Sequence, residues 1–182
     1  MSSRLLTVTE EEIRLHSVKF TMDDIARKLR MSKSTLYQQA SSKAVLVKMV
    51  CEDIKERFEE EKGKLLSSSL PVKEKLLQYC QLFVDRFWSW PDGVYQDIEI
   101  HYADIWEDWI TFKLREFDTM MELLEEGVRQ GEFRPVNLKV LRLVLITATR
   151  QLNDPVFLKE QNMTGSDVMH ALEDIMLKGI EK

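Results

Sequence analysis

An all-α fold is the prediction for this chain, and three observations carry it. Only six glycines and four prolines punctuate 182 residues, so breaks are few. No run alternates apolar and polar residues at the two-residue period of a half-buried strand, whereas apolar positions recur every three to four residues almost throughout. A hydrophobic content of 44% beside 31% charged residues suits helices with one buried and one solvated face. Breaks are expected around Ser67–Pro71, Pro91–Gly93, Gly131–Pro135 and Asn153–Gly165. They leave helices near 43–66, 71–89, 94–129, 137–152 and 166–180. The 94–129 span is long for one globular helix and is expected to bend or break near Glu107–Trp109.

The first fifty residues are organised differently. Leu5, Leu6, Val8, Thr9, Glu12 and Ile13 give the three-to-four spacing of a first helix, with Glu10 to Glu12 on its exposed face and His16 closing it. Thr21 then stands three residues before Asp24, the spacing of a capping box, with Asp23 and Asp24 at the positive end of the helix that follows. Ile25, Ala26 and Leu29 make the buried side of a helix only two turns long, too short to be stable alone. Met31 fills the turn and Ser32 caps another short helix. There Leu36 points inward and Ser34, Thr35, Tyr37, Gln38 and Gln39 lie outside.

That outer face is polar, neutral and free of carboxylates, the chemistry that reads base edges in a DNA major groove. Lys33 and Lys43 flank it. Thr21 and Ser42 offer hydroxyls at helix starts, where phosphates bind favourably. The arrangement is a helix-turn-helix. The charge supports it: residues 1–50 carry nine Lys/Arg against five Asp/Glu, a balance of +4, and the remainder −9, for the net −5 of the chain.

The segment TMDDIARKLRMSKSTLYQQASSKAVL resembles the N-terminal signature of the TetR-type transcriptional regulators. Thr21, Ile25, Ala26, Ser32, Leu36, Tyr37, Ser42, Lys43 and Leu46 stand at matching positions, and the likeness runs from Leu5 to about Val50. The resemblance implies that Tyr37 and Lys43 contact backbone phosphates with Thr21 assisting, and that Ser34, Thr35, Gln38 and Gln39 face bases. It further implies a homodimer on a palindromic operator, repression, and release by a small molecule. The chain departs from the family at His16 and Arg30, where glycines are usual. A non-glycine residue can take positive φ there at some cost. Ala40 replaces a bulky aromatic that pins the recognition helix. The expected domains are a DNA-binding helix-turn-helix domain over 1–46 and a larger helical ligand-binding and dimerisation domain over 47–182.

In the second part, Leu141, Leu145 and Ala148 form one apolar face and Val168, Leu172 and Ile175 another. By the resemblance these pair with their two-fold mates as the dimer interface. All four tryptophans fall between residues 88 and 109. Trp88, Tyr102, Trp106, Trp109 and Phe112 are expected to wall an apolar ligand pocket. Asp97, Glu99, Asp104, Glu107 and Asp108 lie near enough in sequence to favour a lipophilic cation over an acyl anion. Asp97, His101, Asp104 and Asp108 could share a metal ion, but a solvated helix face explains them better, and no metal or cofactor is expected.

Other classes find less support. No Gly-rich phosphate loop, G-x-S-x-G elbow or H-E-x-x-H motif is present, so no catalytic residue is proposed and an enzyme is not expected. A helical adaptor that has lost DNA binding, or less plausibly a helical enzyme, is the alternative. Nothing approaches the run of about 18 apolar residues of a membrane span, and the N-terminus lacks a signal-peptide pattern. Cys51 and Cys80 read as buried thiols of a reducing compartment. The expectation is a cytoplasmic protein without a membrane partner.

Overall fold

The computed structural model describes residues 3–151 and 155–180. Ten α-helices follow one another in the described residues, with no β-strand among them: α1 (Ser3–His16), α2 (Met22–Leu29), α3 (Lys33–Gln39), α4 (Lys43–Leu66), α5 (Val72–Phe87), α6 (Asp92–His101), α7 (Ala103–Gln130), α8 (Leu138–Gln151), α9 (Pro155–Glu160) and α10 (Gly165–Ile180). The chain divides into two compact units. The first comprises 1–57 with 93–109, and the second 58–92 with 110–182.

In the first unit, Leu5 and Ile13 on α1, Ile25 on α2, Leu36 on α3 and Leu46 and Val47 on α4 are fully buried. Glu12 belongs to that inner face, not to the exposed one expected for it. It lies seven residues from Leu5 and next to Ile13, so the helical period carries it inward, where Lys28 of α2 pairs with it. Glu10 is half-buried and accepts from Arg57 at 2.8 Å. The left-handed residue after α1 is Ser17 (φ 54°), whereas His16 has φ −126°. Arg30 does take the left-handed conformation (φ 54°, ψ 40°), and its N–H returns to the Ala26 and Arg27 carbonyls to close α2.

The 94–129 span separates at Tyr102, not at Glu107–Trp109. The Trp106 N–H still bonds to the Tyr102 carbonyl at 3.0 Å, and Ile98, Ile105 and Trp109 keep one buried face in phase across the kink. Buried Trp109 holds the expected breakpoint inside regular helix. No glycine or proline near Tyr102 announces the kink in sequence.

The second unit is built around rings. Phe58 meets Tyr79, Phe83 and Phe87 edge-on at centroid distances of 6.1, 6.1 and 5.0 Å. Fully buried Tyr79 donates to the Glu116 carboxylate at 2.9 Å, and Lys62 reaches the same oxygen at 2.8 Å, so the buried carboxylate is neutralised as well as hydrogen-bonded. α7 ends at Gly131 (φ 80°), and Phe133 folds back onto Gly127, where a Cβ would overlap its ring. Arg134 then ties the end of α10 through the Ile180 carbonyl at 3.0 Å and the Gly179 carbonyl at 2.6 Å. α9 falls inside the expected break at Asn153–Gly165. Residues 153 and 154 of that break, and residue 152 of the expected helix, lie outside the described residues.

Candidate functional site

The pair α2–α3 is positioned by caps at both starts. Thr21 Oγ1 accepts from the Asp24 N–H at 3.2 Å, and the Asp24 carboxylate accepts the Thr21 N–H at 2.9 Å and its hydroxyl at 2.7 Å. These bonds hold the Asp24 carboxyl below its ordinary range, the threonine hydroxyl being the largest cause. Ser32 Oγ accepts from the Thr35 N–H at 3.0 Å and starts α3. Beneath, Leu36 is fully buried and Ala40 is buried at the C-cap in extended conformation.

This packing leaves one face of α3 outside. Lys33, Ser34, Thr35 and Gln38 are exposed, Tyr37 is 48% exposed and Gln39 half-buried, with no carboxylate on the helix. Several of the expected DNA contacts already have local partners. Thr21 commits both donors to Asp24, so a phosphate at the start of α2 would have to displace a carboxylate. Thr35 and Ser32 share a hydroxyl–hydroxyl bond of 2.8 Å. Lys33 Nζ lies 2.5 Å from Asp23. Lys43 Nζ stands 4.9 Å from the centre of the Phe20 ring, and partial burial lowers its pKa. Ser42 Oγ accepts from the Val45 N–H at 3.2 Å, capping α4. Gln38 and Ser34 are the base-facing candidates for which the surroundings give no such local bond among those described.

Sequence reasoning missed a second basic surface. His16, Lys19, Arg27 and Lys28 line an open groove of about 410 Å³ with Phe20, Glu12 and Asp24. Arg27 and Lys28 are paired to Asp24 and Glu12. The groove draws on α1, α2 and the turn between them, so no single run of sequence displays it.

The five expected ligand residues do not come together in one unit. Trp88 and Phe112 belong to the second, and Tyr102, Trp106 and Trp109 to the first. Trp88 and Trp109 are buried, and the other three half-buried. Trp88 lies edge-on to Phe83, with fully buried Lys113 over its ring, and burial lowers the Lys113 pKa well below normal. Asp108 pairs with Lys55 of α4, and among the described residues no group of three His, Cys, Asp or Glu could hold a metal ion.

A small apolar cavity of about 20 Å³ does occur in the second unit, partly open and lined by other residues. Cys80, Phe83 and Val84 come from α5, Phe117 and Met120 from α7, Leu145 from α8, and Met169, Leu172, Glu173 and Met176 from α10. The clue available in sequence was the pair Met169 and Met176, seven residues apart on α10 and so on one helical face. Cys51 and Cys80 are free and buried, and burial pushes the Cys51 thiol up to about 12.

The expected dimer residues divide as well. Leu145 is 6% exposed and faces the cavity, while Leu141, Ala148, Val168 and Leu172 are half-buried and Ile175 is 68% exposed. The apolar face that α8 leaves outside is instead Val140, Leu143 and Val144. α8 is apolar on most of its circumference, so its sequence could not say which side turns in.

Residues 5–50 match the family model described as bacterial regulatory proteins, tetR family. Over 181 residues, the chain is 29% identical to an HTH-type transcriptional regulator of Bacillus subtilis strain 168, YvaF, covering 99% of this chain and 95% of that one. A transcriptional regulator from Cytophaga hutchinsonii shares the fold with a TM-score of 0.71 at 17% identity, over 98% of this chain and 97% of that one. A TetR/AcrR-family regulator from Thermobifida fusca does so at 0.68 and 17%, over 99% and 98%.

Proposed function

We propose that this chain is a TetR-family transcriptional regulator that represses by binding a palindromic operator as a homodimer and leaves the DNA when a small hydrophobic molecule enters the second unit. The observation that carries the proposal is the uncovered polar face of α3, held out by buried Leu36 and the Ser32 cap. Ser34 and Gln38 read bases there, joined by Thr35 and Gln39. Tyr37, Lys33 and Lys43 meet phosphates, and Thr21 supports them chiefly by fixing the start of α2.

The dimer is supported by apolar side chains that one copy leaves in water. Val140, Leu143 and Val144 on α8 and Ile175 on α10 are each more than half exposed, and large apolar side chains left in water are a common mark of an interface. An isologous pairing gives the two-fold symmetry that a palindrome requires. The ligand site is the cavity lined by Phe83, Phe117 and Met120. A molecule bound there shifts the equilibrium only by binding the DNA-competent and incompetent states unequally.

A mobility-shift titration on DNA fragments bearing candidate palindromes, repeated over a salt series, tests the core of this reading. Log affinity should fall linearly with log salt. Absence of binding to any palindromic fragment at low salt would turn the conclusion towards an adaptor.

A further inference from the structure

The second unit's cavity is apolar, yet the charge in its lining is one-sided. Glu173 is the one charged side chain among its lining residues, and it is only 15% exposed. Burial pushes its carboxyl up, His170 beside it pulls the other way, and the carboxylates of Asp85 and Asp174 add a smaller upward push. Asp85 follows the lining residue Val84 on α5, and Asp174 follows Glu173 on α10. Glu173 on α10 and Cys80 on α5 line the same cavity. Positive charge is present as well: buried Lys113 lies over the Trp88 ring, itself edge-on to the lining residue Phe83, though burial lowers its pKa well below normal. His170 Nδ1 lies 3.7 Å from Glu173, close for an ion pair but long for a hydrogen bond, and Lys178 is 74% exposed and engaged by Asp174 at 2.8 Å.

We infer that this cavity selects an apolar molecule bearing one amine cation, its body among Phe83, Phe117, Met120 and Met176 and its ammonium against Glu173. The inference rests on the reading of the cavity as the ligand site. A half-desolvated carboxylate is costly to keep charged, and a bound cation removes that cost with a charge-assisted hydrogen bond. An anionic head in the same place meets the Glu173 carboxylate, with Asp85 and Asp174 exposed outside the lining. The phenyl faces of Phe83 and Phe117 attract a cation and repel an anion. Met120, Met169 and Met176, unbranched and polarizable, adapt to bodies of different outline. At about 20 Å³ the space admits roughly one water, so an eight-carbon chain enters only as Met120, Met169 and Met176 move apart.

The test compares n-octylamine, n-octanol and octanoate on the full chain by calorimetry, with the same three added to the protein–DNA complex. Octylamine should bind at least about tenfold more tightly than octanol, the range expected for a hydrogen bond to a charged group, with octanoate weakest. Glu173→Gln, which keeps the shape, should abolish that preference and leave octanol within about twofold. Equal affinities in the wild type, or a preference that survives Glu173→Gln, overturn the inference and leave a hydrophobic site standing. If none of the three binds, the cavity is packed core and both readings fail. Selective octylamine binding without release of DNA upholds the inference and removes the switch.

Discussion

Two helices in different units begin with the same four-residue device. Thr21 and Asp24 cap α2, and Thr164 and Asp167 cap α10, with the threonine hydroxyl donating to the aspartate at 2.7 and 2.6 Å and each aspartate N–H returned to the threonine oxygen at 3.2 and 3.1 Å. The local chemistry is identical and the consequences are opposite. After Thr21 the chain makes an eight-residue helix whose buried side orders a polar neighbour, α3. After Thr164 it makes a sixteen-residue helix that turns Met169 and Met176 inward and leaves Ile175 outside. A cap fixes where a helix starts. What the helix is for depends on which faces its neighbours cover.

The largest effects should come from asking which face of α8 is covered. Leu145→Glu places a charge in the second unit's interior and should cost about 3 kcal/mol or more, giving aggregated or unfolded protein by circular dichroism. Leu143→Glu, two residues away on the open side, should leave the helical spectrum intact and yield monomers on sedimentation. Ile175→Glu should do the same from α10. A Leu143→Glu protein that still sediments as a dimer at micromolar concentration would mean that the exposed apolar face is not the interface.

A smaller effect separates the two kinds of residue on and beside α3. Gln38→Ala should cost roughly 1–3 kcal/mol at its own base pair and relax preference there, leaving other positions unchanged. Lys43→Ala should weaken binding to every sequence alike and reduce the slope of log affinity against log salt by about one unit. Quantitative shifts on an operator and its single-base variants distinguish them. Uniform loss from Gln38→Ala would make it a backbone contact.

The first region was the more legible because its signals are short-range. Thr21 to Asp24, and Ser32 to the N–H of Thr35, are contacts over three residues, and spacing alone reveals them. Glu12 was misread because its partner Lys28 lies sixteen residues away in a different helix. The cavity draws its walls from four helices and mixes ring, aliphatic and thioether groups that any core would use, so no spacing marks it. Ile98, Ile105 and Trp109 keep helical spacing, but sequence could not show that Trp88 and Phe112 would fall in another unit. The capping box at Thr164 was as available as the one at Thr21. Gly165 between its two members read as the end of a break, and hid it.

The smallest effect tests the device that the two regions share. Thr21→Val and Thr164→Val each remove a hydroxyl and should lower Tm by about 2–4 °C, the scale of one N-cap in a chain of this size. The loss should be greater at Thr21, because α2 has only two turns to hold it, and only there should DNA affinity fall as well. Acid sharpens the contrast. In both boxes the threonine hydroxyl is the leading cause that holds the aspartate below its ordinary value of 3.8. A carboxyl with a lowered folded pKa contributes stability that is present above the unfolded value and is lost as pH falls through the folded one. The gap between wild type and each valine variant should therefore be full at pH 7 and 5 and should narrow below about pH 4. Thermal melts at pH 7, 5 and 3 measure it. A gap that stays constant down to pH 3 would show that the hydroxyl acts only by accepting the aspartate N–H, with its bond to the carboxylate contributing nothing.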